Sequence, residues 1–418
     1  MRVLGLLLAT ALLVGRPATA AVPVEAHVPT AAYCCHGYAN DTVAPSSAAP
    51  YLTWAATPDN PGADADRAAG IQNIYRYVDV FKVYQGDHLY AAVDGGKYAA
   101  TRATNCGGVL IRTESPPGYL TNPRSPQTLN LLDEELAYRY YPAYNAYFID
   151  DADAYRYGLT NGPPCIGNTP WPEPATAEQD ATLLAAARIQ VAGRSIVPNL
   201  IFNGLSDYVD KGDQYTVPLA MLKPANVLGG MCEECFAGNK PDKVTYDTEW
   251  RDDLGLEIKT ERMRKIFWLY VRYIANNPAA RAYTFASYML AWDPKFSVYQ
   301  TAYAPNQAGQ LHVTPETQLV AHDPLKGNIE SVDELRDPAG TYVREYAHCY
   351  YRRSPIGGCA FVVNSDRSAA RSRPHLAQNY NHTAALHGGM VLEGGTLSFD
   401  GPPMPGSLAP TTGYILTR

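Results

Sequence analysis

The sequence predicts an α/β chain: a (β/α)8 TIM-like barrel followed by a C-terminal β-sandwich-like domain. Three observations carry that expectation. Eight β-branched or aromatic-rich segments, each bounded by Gly, Pro, Asn or Asp, alternate with helical patterns over about 270 residues, the arithmetic of a (β/α)8 barrel. Helical patterning stops near Gln300, and from Thr341 the chain reads as short strands punctuated by Gly and Pro. No Gly-x-Gly-x-x-Gly follows the first strand, which weighs against a doubly wound open sheet.

The first element is an address. Arg2 is a short basic start, Val3 to Val14 is apolar but too short to span a bilayer as a helix, and Ala18-Thr19-Ala20 has the small-x-small form of a cleavage site. Residues 1–20 are therefore expected to be an export signal. The mature chain is then secreted or periplasmic, soluble, without a membrane span, and expected to be a monomer. The barrel is expected over residues 27–320 and the β-rich domain over 321–418. Barrel strands are expected at 51–55, 78–84, 108–112, 146–150, 195–202, 226–233, 283–290 and 296–300. Between them, Thr176-Ala177-Glu178-Gln179 reads as a capping box opening a helix. A second helix is expected over 256–277, its apolar stripe being Met263, Ile266, Phe267, Tyr270, Val271 and Ile274, with a stop at Asn277-Pro278.

Composition excludes several functions. With 46% hydrophobic and 18% charged residues the chain can bury a large core and is not disordered. A net charge of −7 and the lack of any Lys/Arg run argue against a nucleic-acid partner. Tyrosine is over-used, 31 against 5 Trp and 9 Phe. Its apolar face and polar tip suit sugar-like ligands, although most of these residues are accounted for by half-buried sheet faces. Eight cysteines in an exported chain point to disulfides, and Cys349 and Cys359 flank a turn-like segment across which they should pair. Cys232-x-x-Cys235 reads as a structural disulfide before a redox or zinc half-site, because Cys34-Cys35-His36 lacks the spacing of a second ligand pair. There is no Gly-x-Ser-x-Gly, no His-Glu-x-x-His and no Walker sequence, so neither a cofactor nor a metal is expected.

Chemistry in a parallel barrel collects where strands end. Residues 146–149 run into Asp150, Asp151 and Asp153; the strand before Cys232 runs into Glu233 and Glu234. Others end in Asn203, in Thr113-Glu114, and in Trp292-Asp293. Asp and Asn at such positions also cap helices and shape turns. The pairing carries more weight: Asp150 and Glu233 each stand directly behind an apolar strand. Two carboxyl groups across a barrel mouth are what glycoside hydrolysis needs, one protonated to serve the leaving oxygen, the other ionised to attack the anomeric carbon or activate water. Asp150 and Glu233 are thus the expected catalytic residues, and Asp151, Asn203, Glu234, Trp292 and Asp293 the expected substrate-binding ones. The alternatives are a carbohydrate-binding or surface protein on a non-catalytic barrel and, third, a thiol–disulfide protein using Cys232 and Cys235.

An ordered set of motifs supports the hydrolase. It comprises Tyr147-Phe148-Ile149-Asp150-Asp151, Pro198-Asn199-Leu200-Ile201-Phe202-Asn203-Gly204, and Gly229-Gly230-Met231-Cys232-Glu233-Glu234-Cys235-Phe236. Ser287-Tyr288-Met289-Leu290, Thr314-Pro315-Glu316 with Asp323-Pro324, Tyr342-Val343-Arg344-Glu345-Tyr346 and Gly358-Cys359-Ala360-Phe361-Val362-Val363-Asn364 follow. From about Tyr51 onward the chain resembles the hypothetical glycosyl hydrolase families, bacterial exported TIM barrels related to the endo-α-1,4-polygalactosaminidase type. The resemblance implies that the acid after the strand hydrophobics is catalytic, which falls on Asp150 and Glu233. The extra acid in Cys232-Glu233-Glu234-Cys235 departs from the usual pattern and leaves Glu233 and Glu234 as alternatives.

Overall fold

The computed structural model describes residues 25–32, 44–57, 59–79, 82–113, 117–122, 125–150, 159–160, 165–166, 169–170, 193–200, 216–233, 235–237, 243–271, 274, 276–301 and 313–418. The expected export signal, the capping box at Thr176, and Cys34 and Cys35 lie outside them.

Its centre is an eight-stranded, wholly parallel sheet. In chain order and in spatial order the strands are β1 (Ala31–Ala32), β2 (Trp54–Thr57), β3 (Asn73–Asp79), β4 (Ala146–Asp150), β5 (Ser195–Leu200), β6 (Gly229–Glu233), β7 (Ile266–Val271) and β8 (Ser297–Thr301). The sheet curls as in a TIM-like barrel. Thr30, just before β1, bridges Tyr299 of β8 in parallel, and the Tyr299 N–H donates to the Pro29 carbonyl at 2.8 Å. Crossover helices make the parallel pairing possible. They include α1 (Asn60–Ala69), α2 (Pro126–Arg139), α3 (Asp247–Arg262) and α4 (Pro278–Ala291). Gly229 lets β6 approach β7: a Cβ there would fall on the Ile266 backbone.

Side chains alternate across each strand. The odd-numbered or even-numbered set of each strand lines the concave side: Trp54, Tyr75, Phe148, Val197, Met231, Trp268 and Val298 form one buried cluster. Its rings pack edge-on or tilted, Trp54 at 4.9 Å from Tyr75 and Trp268 at 5.4 Å from Phe148. The opposite set, among it Ile149, Ile196, Cys232, Leu269 and Tyr299, packs outward on Trp250, Leu254, Phe285 and Met289 of the helices.

Two expectations exchange places. Residues 266–271, read as a helical stripe, are β7, whose Ile-Phe-Trp-Leu-Tyr-Val run is buried on both faces as parallel strands are. The helix precedes it, at Asp247–Arg262. Residues 283–290, read as a strand, belong to α4. Asn277-Pro278, read as a stop, is its start: Asn277 Oδ1 accepts from the N–H groups of Ala279 and Ala280, both at 3.1 Å, and Pro278 occupies the first turn, where no N–H is needed. The expected strand at 108–112 is likewise not in the parallel sheet. Arg112–Thr113 pairs in a small antiparallel sheet with Gly118–Leu120 and Leu159–Thr160, and Lys82–Tyr84 completes it beside Gly118–Leu120.

The C-terminal region is an antiparallel, six-stranded sheet. In spatial order its strands are Leu319–Pro324, Tyr342–Tyr351, Ser354–Asn364, Thr412–Thr417, His382–His387 and Thr396–Gly401. The first of them spans the expected boundary at 320. A two-stranded ladder, Arg371–Ser372 with Ser407–Leu408, lies beside it. This sheet takes α4 as its packing layer instead of a second sheet of similar size. Tyr346 Oη donates to the Met289 carbonyl at 2.8 Å, and Arg344 Nη1 to the Leu290 and Ala291 carbonyls at 2.8 and 2.7 Å. These bonds satisfy carbonyls at the end of α4 that have no partner within the helix.

Cys349 and Cys359 form a disulfide, as expected, and so do Cys106 with Cys165 and Cys232 with Cys235. The turn between the first pair is tighter than the sequence suggested. Tyr351 faces Ser354 in register, so Arg352-Arg353 is the two-residue turn and 354–358 already belong to the strand. Among the described residues no helix is long and apolar enough to cross a membrane.

Candidate active site

Following the inward-facing set one step toward the C-terminal ends of the strands gives Tyr77, Asp150, Asn199, Glu233, Tyr270 and Gln300. These residues stand above the aromatic plug and make the floor of the mouth. Asp150 pairs in register with Asp79 of β3, and Glu233 with Tyr270 of β7. Gln300 Oε1 accepts from Trp268 Nε1 at 2.9 Å, so the plug and the floor are hydrogen-bonded together.

Asp150 is half-buried and its two oxygens are held separately. Oδ2 accepts from Tyr77 Oη at 2.6 Å, and Oδ1 from Asn199 Nδ2 at 2.7 Å. The same Nδ2 donates to Glu233 Oε2 at 3.2 Å. One amide nitrogen thus spans both acids, and the oxygens it binds lie within about 6 Å of each other. Asn199 and Glu233 are 2% and 3% exposed, so this bridge is shielded from competing water. Cys232, on the outer face of β6, is tied to Cys235, and the tie brackets Glu233 at the point where the strand ends.

The structure brings Asp150 and Glu233 together. Asp151, Asn203 and Glu234 lie outside the described residues. Trp292 and Asp293 are not at this mouth. They follow the C-terminus of α4 and lead into the start of β8, at the opposite end of the strands. Trp292 Nε1 donates to the Ala321 carbonyl at 2.9 Å, and the Asp293 N–H bonds Ser297 Oγ at 2.8 Å. Their expected position rested on reading 283–290 as a strand. Sequence reasoning missed Tyr77, Asn199, Tyr270 and Gln300. Counting by twos from Tyr75 and Val197 along correctly placed strands finds the first two.

A second group of buried carboxyl groups lies on α3. Burial pushes Asp253, Glu257 and Glu261, on one face of α3, well above the ordinary carboxylate range. Asp253 accepts from the Phe236 N–H and Thr245 Oγ1, Glu261 accepts from Ser297 Oγ, and Glu257 lies near Arg344 of the C-terminal sheet; Glu257 is 0% exposed and no substrate reaches it there. Among the described residues no group of three or more His, Cys, Asp or Glu is placed to hold a metal ion.

No family model and no curated protein matches the chain. Solved structures do. The glycoside hydrolase domain of PelA from Pseudomonas aeruginosa is 14% identical, with a TM-score of 0.41 over 65% of this chain and 94% of that one. Ega3 from Aspergillus fumigatus, in complex with galactosamine, is 10% identical, with a TM-score of 0.39 over 67% and 92%. A family 27 β-L-arabinopyranosidase from Geobacillus stearothermophilus is 9% identical, with a TM-score of 0.44 over 94% and 96%. Likeness at this level decides nothing about activity, which has to be argued from the site itself.

Proposed function

We propose that the protein is a secreted glycoside hydrolase acting on a polysaccharide, with the parallel sheet closed as a (β/α)8 barrel and Asp150 and Glu233 as its catalytic pair. The observation that carries this reading is the Asn199 amide shared by the two acids. It sets them on one floor, at the strand ends where barrel enzymes assemble their chemistry. The shared nitrogen keeps one oxygen of each acid within about 6 Å of the other, which is compatible with the ~5–5.5 Å carboxyl separation of retaining glycosidases.

The hydrogen bonds suggest the roles. Asp150 has a donor on each oxygen, an arrangement suited to a carboxylate that carries charge, and serves as nucleophile. Glu233 donates its proton to the departing glycosidic oxygen while an Asp150 oxygen bonds the anomeric carbon. Glu233 then takes a proton from water, whose oxygen attacks that carbon and releases Asp150 with overall retention. Tyr77 and Asn199 hold the nucleophile and Tyr270 offers a ring beside Glu233. The resemblance to the polygalactosaminidase type puts amino-sugar polymers first among the substrates to try.

The test is a panel of polysaccharides that includes such polymers, read for reducing ends and, by proton NMR, for the anomer first released. Asp150→Asn and Glu233→Gln should each lower the rate by about 10²–10⁴-fold with the melting temperature kept. Binding without hydrolysis would move the protein to the carbohydrate-binding reading. Two active variants, or inversion at the anomeric carbon, would refute this retaining mechanism.

A further inference from the structure

A groove at the other end of the parallel sheet has a chemistry of its own. It has a volume of about 670 Å³ and is walled by Ala26, which precedes β1, by Pro50 and Tyr51 ahead of β2, by the 391–396 loop, and by Gln318, Arg352 and Arg353. The size is that of a small-molecule site. Its position, before the strands begin, separates it from Asp150 and Glu233.

The two arginines are the unusual feature. They are the central residues of the two-residue turn between Tyr351 and Ser354, and both have left-handed backbones, φ 50° and 67°. Such a turn favours Asn-Gly, because in a left-handed backbone a Cβ crowds the following carbonyl oxygen. Local stability therefore argues against Arg-Arg at these positions. Fold contacts account for only one of the pair: Arg352 Nε donates to Gln318 Oε1 at 2.8 Å, and its guanidinium lies 5.1 Å from the Tyr351 ring. Among the described residues neither guanidinium has a carboxylate partner, although the protein carries a net charge of −7. Glu25, beside Ala26, pairs with His322 at 3.6 Å, and Glu393, within the 391–396 loop, accepts from the Met390 N–H of its own turn at 3.3 Å.

We infer that this groove is a second, non-catalytic site that binds an anionic glycan, its carboxylates taken by Arg352 and Arg353 and a sugar face by Tyr51. Arg is suited to the task because its planar fork meets a carboxylate with two parallel hydrogen bonds. A net charge of −7 repels a polyanion on average, so binding depends on a local basic patch such as this one and weakens with salt.

Affinity electrophoresis of the full protein in gels containing polygalacturonate, with dextran as the neutral control, reads this directly and does not depend on hydrolysis. The protein should be retarded by polygalacturonate and not by dextran. Replacing the pair by the residues the turn prefers, Arg352→Asn with Arg353→Gly, should abolish retardation and hold or raise the melting temperature. Arg353→Gln, which leaves Arg352 on Gln318, should weaken retardation at least several-fold. Asp150→Asn should be retarded like the parent. Absence of retardation, equal retardation by dextran, or retardation that survives Arg353→Gln and the double replacement overturns the inference. So does a double replacement that unfolds the protein while Arg353→Gln binds as before.

Discussion

Asp150 and Glu233 accept from a single amide nitrogen, Asn199 Nδ2, at 2.7 and 3.2 Å. The acids come from different strands, 83 positions apart in sequence, and meet because β4, β5 and β6 are consecutive in a parallel sheet. Asn199, on the strand between them, sets their spacing.

Removing that nitrogen should therefore be costly for activity. Asn199→Ala frees both carboxyl groups to move apart and is expected to lower kcat/KM by about 10²-fold, the usual effect of a displacement near 1 Å. Asn199→Asp places a third acid beside the pair and should shift the pH–rate profile, which a loss of packing alone would not do. The check is a pH–rate profile on the best substrate from the panel, with melting temperatures beside it. Unchanged kinetics in both variants would show that the bridge has no catalytic role.

Glu257 should set the pH dependence of stability. It is faced by Glu261 and Asp253 on its own helix, by Arg344 of the C-terminal sheet, and by Tyr288 and Tyr346. Burial raises it well above the ordinary value of 4.5, and Glu261 likewise. Between 4.5 and the raised folded value, the folded state holds more protons than the unfolded one. Stability from these groups is thus fully present below 4.5 and is lost as pH rises through the folded value. Melting temperatures measured from mildly acidic to alkaline pH should fall with pH in the parent. Glu257→Gln, which keeps the shape without the charge, should flatten that fall.

Arg281 and Glu316 form a pair in which both side chains are fully buried, with Nη2–Oε2 at 2.5 Å and Nε–Oε1 at 3.0 Å. The pair joins α4 to the segment that enters the C-terminal sheet, and Arg281 Nη1 reaches on to the Gly388 carbonyl at 2.9 Å. Arg281→Met leaves a buried, unpaired carboxylate and should destabilise by about 3–5 kcal/mol. Adding Glu316→Leu should recover much of the loss, since the charge that lacks a partner is then gone as well. Denaturant unfolding of the parent, the single and the double variant measures this, and a double variant no better than the single one would contradict it.

Local pattern was enough for several features. The apolar run before Asp150 placed β4 at 146–150, because a parallel strand buried on both faces reads as a continuous apolar stretch ending at a turn. The same logic puts Glu233 at the end of β6, and the turn-like segment between Cys349 and Cys359 pairs them across a hairpin. Local pattern fails where a short, mostly apolar stretch fits either period: 266–271 reads as a helix and 283–290 as a strand, the reverse of what they form. Periodicity alone does not separate a buried strand from a buried helix of that length, and Asn277-Pro278 fits the end of one helix as well as the start of the next.

What the sequence determined by itself is the alternation of strand and helix, the change to antiparallel strands near the C-terminus, and the two acids that close apolar strands. These follow from local backbone preference and burial pattern. Only the tertiary structure decided which face each strand turns inward, and therefore that Asn199 stands between Asp150 and Glu233 while Trp292 and Asp293 lie at the far end. Inward orientation depends on register with neighbouring strands, and register is fixed by contacts between residues far apart in the chain, which no local pattern carries.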